Sequence, residues 1–197
     1  KTVSLSNLMP DWPQYIDLTK NKPPRKLLVR ALEYVREKET ALDLGAGALN
    51  DSKYLVAAGF KTVIAVDIEK KLELSNGLDK NIFIFKQIKI EDYDFPVDYF
   101  NLINAQFVLP FIASKEIGRV LDDILKSLRR NGIFTGQFFG INDDWRDRDG
   151  ISCYSKAEIM DFFSGFEIID LQEGEKNDQT ALGGLKHWHL FHFIVKK

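Results

Sequence analysis

A glycine-rich turn and an acid one strand further on are the residues with the clearest chemical purpose. The turn, Asp43-Leu-Gly-Ala-Gly-Ala48, follows a short apolar run, and Asp67 ends the next such run. Gly45 suits a tight turn, Gly47 allows close backbone approach to a ligand, and the following helix start attracts an anion. Asp67 is placed to accept hydrogen bonds from two ribose hydroxyls, so the pattern predicts a nucleoside site. The alternatives are a plain strand-to-helix turn and a surface acid.

The same residues bear on which nucleoside is bound. A dinucleotide fingerprint requires a third glycine at position 50, which is Asn50, so NAD is disfavoured. The carboxylate of Asp67 would repel a 2′-phosphate, which disfavours NADP. An NAD-dependent oxidoreductase is thus kept only as a less favoured alternative.

Four segments together resemble the motifs of the class I S-adenosylmethionine-dependent methyltransferases. Leu42-Asp-Leu-Gly-Ala-Gly47 is similar to their first motif, and Val66-Asp-Ile68 to their ribose-binding acid. Glu91-Asp-Tyr-Asp-Phe-Pro96 looks like their adenine-contacting segment, and Leu125-Lys-Ser-Leu-Arg-Arg-Asn-Gly132 like the helix end and turn before their fifth strand. The resemblance covers residues 23–195 and implies S-adenosylmethionine as cofactor and methyl transfer as reaction.

The resemblance also implies a donor site, formed by Asp43, Gly45, Ala46, Gly47, Asp67, Ile68, Glu91, Asp92, Asn104, Ala105 and Gln106. In this assignment Gly45, Gly47 and the helix near Asn50 bind the methionine carboxylate, and Asp67 binds the ribose. Ile68 faces the adenine ring, whose amino edge contacts Glu91 or Asp92. The stretch from Asn104 to Gln106 lies beside the amino group and the transferring methyl.

Two of these assignments have alternatives in the sequence itself. Asp43 either contacts the amino group of the donor or caps nearby backbone N–H groups. Glu91 and Asp92 belong to a run that also contains Asp94 and Asp98, so they could equally be solvated loop charges.

One departure from the family pattern is Leu49, which stands where the family's usual third glycine would fall. It predicts a loop slightly farther from the methionine moiety, and it lends support to a nucleoside-binding module without catalysis. Among branches, the chain looks most like small-molecule methyltransferases of the tellurite-resistance-like type. The features that carry this are the compact length, the Trp12 to Tyr15 arm, Pro23-Pro24 and Gln106-Phe-Val-Leu-Pro-Phe111.

The acceptor side is expected above the fourth and fifth strands. Its candidates are Phe107, Phe139, Gly140, Asn142, Asp143, Asp144, Trp145 and Arg146. Aromatic walls and a nearby acid could hold a small acceptor or take a proton from it. The alternative is that residues 143–149 form a charged surface loop. No general base stands out, and a soft nucleophile such as a thiolate would need none.

Histidine and cysteine offer little further chemistry. His187 and His189 share one face of a strand-like run and His192 takes the other, without a third ligand at suitable spacing. We therefore expect no metal. Cys153, the single cysteine, lacks a histidine partner and is typical of an ordinary thiol.

The elements that must position these residues alternate between strand and helix. Strands are predicted at 40–44, 62–67, 81–85, 99–104, 133–139, 166–171 and 187–195, and helices from Pro23-Pro24 to Val35, at 50–58, at 114–128 and after Ser155. Asn131-Gly132 is predicted to be a turn. The pattern indicates an α/β, doubly wound, mostly parallel seven-stranded sheet in the order 3-2-1-4-5-7-6, with the last strand antiparallel and helices on both faces. Ligands then bind at the carboxyl ends of the strands.

Composition indicates one domain at residues 23–197, preceded by an irregular arm or lid at 1–22. The 197 residues carry 27 Lys+Arg against 29 Asp+Glu, a net charge of -2 that favours neither nucleic acid nor a membrane as partner. One cysteine, no long apolar run and no signal-like segment predict a cytoplasmic protein with a small-molecule substrate. The oligomeric state is not indicated.

Overall fold

The computed structural model describes residues 11–70, 75 and 77–197. Its α-helices are α1 (Trp12–Thr19), α2 (Lys26–Ala31), α3 (Asn50–Ala57), α4 (Ser114–Ser127) and α5 (Lys156–Phe162), with 3-10 turns at Leu32–Tyr34, Ile90–Asp92 and Leu109–Phe111. Its strands are β1 (Thr40–Leu44), β2 (Thr62–Asp67), β3 (Phe83–Gln87), β4 (Phe100–Ala105), β5 (Leu128–Gly140), β6 (Cys153–Tyr154), β7 (Glu167–Gln179) and β8 (Leu185–Lys196).

All strands join one sheet in the order β3-β2-β1-β4-β5-β8-β7, with the two-residue β6 paired to the end of β5. Strands β3 to β5 of this order run parallel, whereas β8 is antiparallel to both β5 and β7. Without the short β6, this is the predicted order 3-2-1-4-5-7-6. The doubly wound fold class and the antiparallel last strand are confirmed.

Two apolar layers enclose the sheet. On one face, Leu42 and Leu44 of β1 pack in a cluster with the apolar side of α4. On the other face, Ala41 belongs to a cluster with α2 and α3. Because successive side chains of a strand point to opposite faces, a strand buried on both sides must be apolar throughout. β1 and β2 match their predicted bounds for this reason.

Several elements differ from the sequence prediction. Strand β3 is shifted to Phe83–Gln87, β7 continues beyond residue 171 to Gln179, and β6 was not predicted. The arm predicted to be irregular contains α1, which Asp11 caps by accepting a hydrogen bond from the Gln14 N–H; the first ten residues lie outside the described part. Helix α2 ends at Ala31 and continues only as a 3-10 turn. Asn131 and Gly132 do not end a strand: they lie inside β5, where the β4–β5 register shifts. On the other side of β5, pairing with β8 begins at Ile133, and Asn131 and Gly132 instead exchange backbone hydrogen bonds with Lys197, so the irregularity is a bulge.

No helix in the ranges 11–70 and 77–197 is long and apolar enough to cross a membrane.

Candidate active site

The glycine turn leaves β1 at the carboxyl edge of the sheet and leads into α3. The N–H groups of Gly45 and Ala46 both donate to the carbonyl of Val66, which ties the turn to β2. Gly45 has φ +64°, and a Cβ there would lie 2.5 Å from Val108. Gly47 has φ +49°, but a Cβ on it would meet only the Gly45 carbonyl, at 3.8 Å. A side chain at Gly47 would therefore fill the space above the turn that a ligand needs.

We expect Gly45→Ala to lower the free energy of unfolding by about 2 kcal/mol and to weaken S-adenosylhomocysteine binding. The substitution combines a left-handed backbone with a collision against a β-branched side chain of limited χ1 freedom. Gly59→Ala is the matched control, since Gly59 also has positive φ but nothing lies within 4 Å of its Cβ position. Urea denaturation of both variants measures the difference. Equal losses in the two would show that Val108 yields without cost.

Leu49 adopts the conformation expected of the glycine it replaces. Its φ is +61°, and it is the residue preceding α3, whose first residue is Asn50. The left-handed backbone costs about 1 to 2 kcal/mol for a residue with a Cβ. The Leu49 side chain is fully buried, and that burial offsets the strain. The turn therefore keeps its left-handed shape without the third glycine.

Asp67 lies directly beside the glycine turn. Its Oδ2 accepts a hydrogen bond from the Gly47 N–H at 2.7 Å, and its Oδ1 accepts one from the Glu69 N–H at 2.8 Å. A carboxylate has about four lone-pair positions and can accept several hydrogen bonds at once. The backbone bonds fix the orientation of Asp67 at the end of β2, where a ribose is expected.

The predicted adenine side follows from the ends of β2 and β3. Ile68 is 50% exposed although it is a large apolar residue. The Ile88 N–H donates to the carbonyl of Asp67, which brings the 3-10 turn Ile90–Asp92 to the same edge. Glu91 is half-buried and Asp92 exposed. The exposed apolar side chain of Ile68 suits the flat face of an adenine ring, and the nearby acids suit its polar amino edge.

Two buried acids lie below the turn. Asp43 Oδ2 accepts from the Ser52 hydroxyl at 2.5 Å, and its Oδ1 accepts from the Asn104 amide at 2.8 Å. Asp51 accepts from Asn104 at 3.2 Å and from the Arg25 backbone N–H at 2.8 Å. Asp43 and Asn104 are cross-strand partners of β1 and β4, which explains their contact. The donors to Asp43 are thus two side chains, and the backbone capping considered from the sequence is absent among the described contacts.

This burial has an electrostatic consequence. Burial, followed by repulsion from Asp51, raises the pKa of Asp43 to about 7. Burial also raises the pKa of Asp51. Two carboxylates in this setting favour a cation between them or near them, because each charge is poorly solvated. The donor's ammonium group is such a cation.

We expect the stability of the protein to fall between about pH 4 and pH 7 through Asp43. A carboxyl whose pKa is higher when folded contributes stability below its unfolded pKa, and this contribution disappears as the pH rises through about 7. Each pKa unit is worth about 1.4 kcal/mol. Free energies of unfolding from pH 5 to pH 8 should therefore decline more in the wild type than in Asp43→Asn. Parallel profiles would contradict the raised pKa.

A chain of buried amides leads from these acids to the acceptor side. The side-chain amide of Gln106 donates to Asn104 Oδ1 at 2.8 Å, and that of Gln137 donates to Gln106 Oε1 at 2.6 Å. Gln137 in turn accepts from the Phe107 N–H at 2.9 Å. Phe107 has φ +55°, so this bond helps to hold a strained backbone. The sequence analysis did not identify Gln137, whose signal was only a polar residue within an apolar strand.

Aromatic side chains gather above the ends of β4 and β5, where the acceptor is predicted. Phe107 follows β4, Phe139 lies in β5, and Trp145 lies in the next loop. Trp188 of β8 joins them, with ring centroids 6.1 Å from Phe107, 6.0 Å from Phe139 and 5.7 Å from Trp145. Trp188 was missed from the sequence because only the antiparallel pairing of β8 brings it to this edge.

A buried ion pair lies against these rings. Lys186 Nζ is 2.5 Å from Asp143 Oδ1 and 2.6 Å from Oδ2, and both side chains are almost fully buried. The ammonium also lies 3.6 Å from the Trp188 ring centroid and 4.4 Å from that of Trp145. Asp143 accepts two further bonds, from the N–H groups of Trp145 and His189. The predicted acid of the acceptor side is therefore fully engaged within the protein.

The comparisons with known proteins bear on this arrangement. Residues 42–135, from the glycine turn to β5, match a family described as a methyltransferase domain. This part of the chain is thus similar to a methyltransferase domain, in agreement with the resemblance to the class I S-adenosylmethionine-dependent methyltransferases. The similarity supports S-adenosylmethionine as the cofactor. A comparison with curated proteins gave no match.

Solved structures share the fold of this chain at low sequence identity. The 1,6-didemethyltoxoflavin-N1-methyltransferase of Burkholderia thailandensis, with bound 1,6-didemethyltoxoflavin and S-adenosylhomocysteine, is 20% identical with a TM-score of 0.69, covering 88% of this chain and 77% of its own. TehB of Haemophilus influenzae is 14% identical with a TM-score of 0.69, covering 86% and 61%. A methyltransferase of Methanosarcina mazei is 20% identical with a TM-score of 0.67, covering 89% and 99%.

Helix α1 contacts both halves of the edge. The ring of Trp12 lies 5.0 Å from that of Phe111, on the predicted acceptor side. The amide of Asn50, at the start of α3, donates to the Thr19 carbonyl at 2.8 Å. Asn50, the residue that disfavours a dinucleotide, thus holds the end of α1.

The remaining predicted positions are divided between the interior and the surface. Asn142 donates to Glu175 through its side chain, and Gly140 packs against the imidazole of His189. Asp144 and Arg146 are exposed. The loop after β5 thus turns Asp143 and Trp145 inward and leaves its other charges on the surface.

The histidines of β8 are engaged with polar partners of β7. His187 contacts Asn177 and Glu175, and His189 contacts Glu173 at 3.2 Å. Within the described ranges, no group of three or more His, Cys, Asp or Glu side chains is arranged to hold a metal ion. Burial raises the pKa of Cys153 to about 12, so its thiol is a poor nucleophile near neutral pH.

Proposed function

We propose that this enzyme transfers the methyl group of S-adenosylmethionine to a small molecule bound above β4 and β5. The observation that carries the proposal is the placement of two unlike surfaces at one edge. The carboxylate of Asp67 lies beside the glycine turn, and the aromatic group around Trp188 lies beyond it. The amide chain of Asn104, Gln106 and Gln137 links the two.

The residues present fit the donor. Gly47 leaves the space above the turn open, Asp67 offers oriented oxygens for the ribose, and Ile68 offers an exposed apolar surface for the adenine. The acids Asp43 and Asp51 complement an ammonium group. Ala46 and Ala105 present little side-chain bulk beside these residues. We assign the methionine carboxylate to the N–H groups at the start of α3 and the adenine amino edge to Glu91 or Asp92.

Methyl transfer from a sulfonium requires little acid–base catalysis by the protein. The bound sulfonium supplies an activated methyl group and loses its positive charge on transfer. The chain's own contribution is to align the acceptor with the methyl and to exclude water. Buried Asn104 and Gln106 hold the strand end beside the methyl, and the aromatic side chains form dry walls.

Calorimetric titration tests the donor assignment. S-adenosylhomocysteine should bind with a dissociation constant in the micromolar range, about -8 kcal/mol. NAD should not bind, because Asn50 replaces the glycine of the dinucleotide fingerprint and its side chain holds α1. Binding of NAD in preference to S-adenosylhomocysteine would favour the oxidoreductase.

Catalysis needs a separate test. Incubating the protein with labelled S-adenosylmethionine and a cell extract, and then profiling the methylated products, should show a labelled small molecule together with S-adenosylhomocysteine. A protein that binds the donor but yields neither product would be a nucleoside-binding module on this fold. Label in nucleic acid would contradict the small-molecule assignment, which also rests on the net charge of -2. We infer a cytoplasmic setting from the single cysteine.

A further inference from the structure

Seven side chains form a closed circuit of contacts on the acceptor side, which we call the aromatic ring. In order around the circuit they are Trp12, Phe111, Phe139, Trp188, Phe107, Arg25 and Tyr15. Neighbouring aromatic centroids are 5.0 to 6.1 Å apart. The Arg25 guanidinium lies 4.8 Å from the Phe107 centroid and donates to the Tyr15 hydroxyl at 2.8 Å.

The members of the aromatic ring come from distant parts of the chain. Two members lie in α1, and Arg25 directly precedes α2. The others lie in β5, in β8 and in the segment after β4. Edge-on contacts dominate, with interplanar angles of 73° to 85°. Edge-on contacts are the arrangement in which aromatic groups attract one another, and they also accept a further planar ring.

The charge of the aromatic ring is positive at one point of its rim. Lys186 lies over the rings of Phe139 and Trp188, but Asp143 neutralises its charge. Arg25 is exposed, and its guanidinium donates to the Tyr15 hydroxyl and lies over the face of Phe107. On the donor side, Asp51 faces Arg25 and Asn104, so the ammonium of a bound donor would share that acid. An anionic group on the acceptor would be attracted to Arg25.

The ring contains no side chain that could take a proton from the acceptor near neutral pH. Its members are tryptophan, phenylalanine, tyrosine and arginine, and the nearby Asp143 is bonded to Lys186, Trp145 and His189. Tryptophan and phenylalanine carry no basic group, and arginine does not lose its proton in proteins. An acceptor whose attacking atom is already ionised would need no base from these side chains.

Resting on the proposed function, we propose that the acceptor is a planar aromatic or heteroaromatic anion. It lies among the aromatic side chains with its negative charge near Arg25. A new bond forms between the ionised acceptor atom and the methyl carbon. The bond from that carbon to sulfur breaks and leaves its electron pair on sulfur, so no proton is transferred.

Three probes of similar size separate shape from charge: 2-naphthoate, trans-decalin-2-carboxylate and 2-naphthylmethylammonium. Each is titrated calorimetrically into the protein saturated with S-adenosylhomocysteine. Naphthoate should bind about tenfold more tightly than the saturated acid, because stacking contributes about 0.5 to 1.5 kcal/mol for each aromatic pair. The cation should bind more weakly than naphthoate. Equal affinity for the two acids, or tighter binding of the cation, would overturn the proposal.

Two arginine variants locate the binding. Arg25→Gln should weaken naphthoate binding about tenfold, since it removes a charge-assisted contact, and should leave the fold intact because Arg25 is exposed. Arg148→Gln is the matched control. Its guanidinium also lies over a ring, 4.7 Å from Trp145, but outside the circuit, and it should change naphthoate affinity less than about twofold. Equal effects of both variants would contradict the placement.

Saturation with S-adenosylhomocysteine distinguishes failure of the proposed function from failure of the proposed acceptor class. If S-adenosylhomocysteine does not bind, the proposed function fails and the acceptor class fails with it. If it binds and naphthoate does not, only the acceptor class is wrong.

Discussion

Lys186→Met should lower the free energy of unfolding by about 3 to 5 kcal/mol, since removing one partner of a buried ion pair leaves the other charge without compensation. The ammonium of Lys186 and the carboxylate of Asp143 are both almost fully buried. Methionine fills much of the volume of lysine and can pack against the rings of Phe139, Trp145 and Trp188, over which the lysine ammonium lies. The loss therefore comes mainly from the isolated carboxylate. Urea denaturation measures it.

Two controls define the origin of that loss. The double variant Lys186→Met with Asp143→Asn should recover most of the stability, since asparagine keeps an oxygen for the Trp145 N–H without a charge. The exposed pair of Lys176 and Asp178 has the same 2.5 Å separation. Lys176→Met should cost less than about 1 kcal/mol. If Lys186→Met cost no more than this surface variant, the buried pair would not stabilise the acceptor side.

Asp67→Ala should weaken S-adenosylhomocysteine binding by about tenfold to a hundredfold. Hydrogen bonds to a charged group are worth about 1.5 to 3 kcal/mol, and the substitution removes the bonds to the ribose. It also removes the acceptor of the Gly47 N–H, which loosens the turn. Calorimetric titration gives the affinity.

Asp67→Asn distinguishes these two effects, because it retains one oxygen for the backbone but carries no charge. We expect its affinity to lie between those of the wild type and Asp67→Ala. Asp94→Ala, an exposed acid elsewhere at the predicted adenine segment, should bind normally. An Asp67→Ala protein with unchanged affinity would remove this residue from the donor site.

The sequence predicted the positions of the glycine turn and Asp67 because they depend on local features of the chain. β1 and β2 are buried on both faces, so their apolar runs have sharp ends, and these ends place the glycine turn and Asp67. Gly45 is required by a left-handed turn that also approaches Val108. What the sequence could not show is that a leucine at position 49 adopts the same left-handed backbone, since its compensation is burial against distant residues.

The acceptor half was predicted only in part because it depends on contacts between distant segments. Trp188 and Lys186 reach the edge through the antiparallel pairing of β8 with β5. A lysine inside an apolar run signals that it needs a partner, but Asp143 lies 43 residues away in sequence. Arg25 reaches the acceptor side through its hydrogen bond to Tyr15 of α1. Helix α1 has only eight residues, which is too short for apolar periodicity to reveal it. Asp11 at the cap position and Pro13 in the first turn were the available signal.

The bulge in β5 has the same origin. Asn131 and Gly132 are residues that favour turns, and one residue does adopt positive φ: Asn131, at +65°. The strand nevertheless continues, because Leu128 pairs with β4 before this point and Ile133 pairs with both β4 and β8 after it. The local preference is therefore expressed as a bulge within one strand and not as the end of a strand.

A crystal structure of the protein with S-adenosylhomocysteine tests the central claim most directly. The account predicts both ribose hydroxyls within hydrogen-bonding distance of Asp67, the adenine against Ile68 and the amino group near Asp43 and Asn104. A nucleoside bound elsewhere, or an Asp67 carboxylate without contact to the sugar, would contradict it.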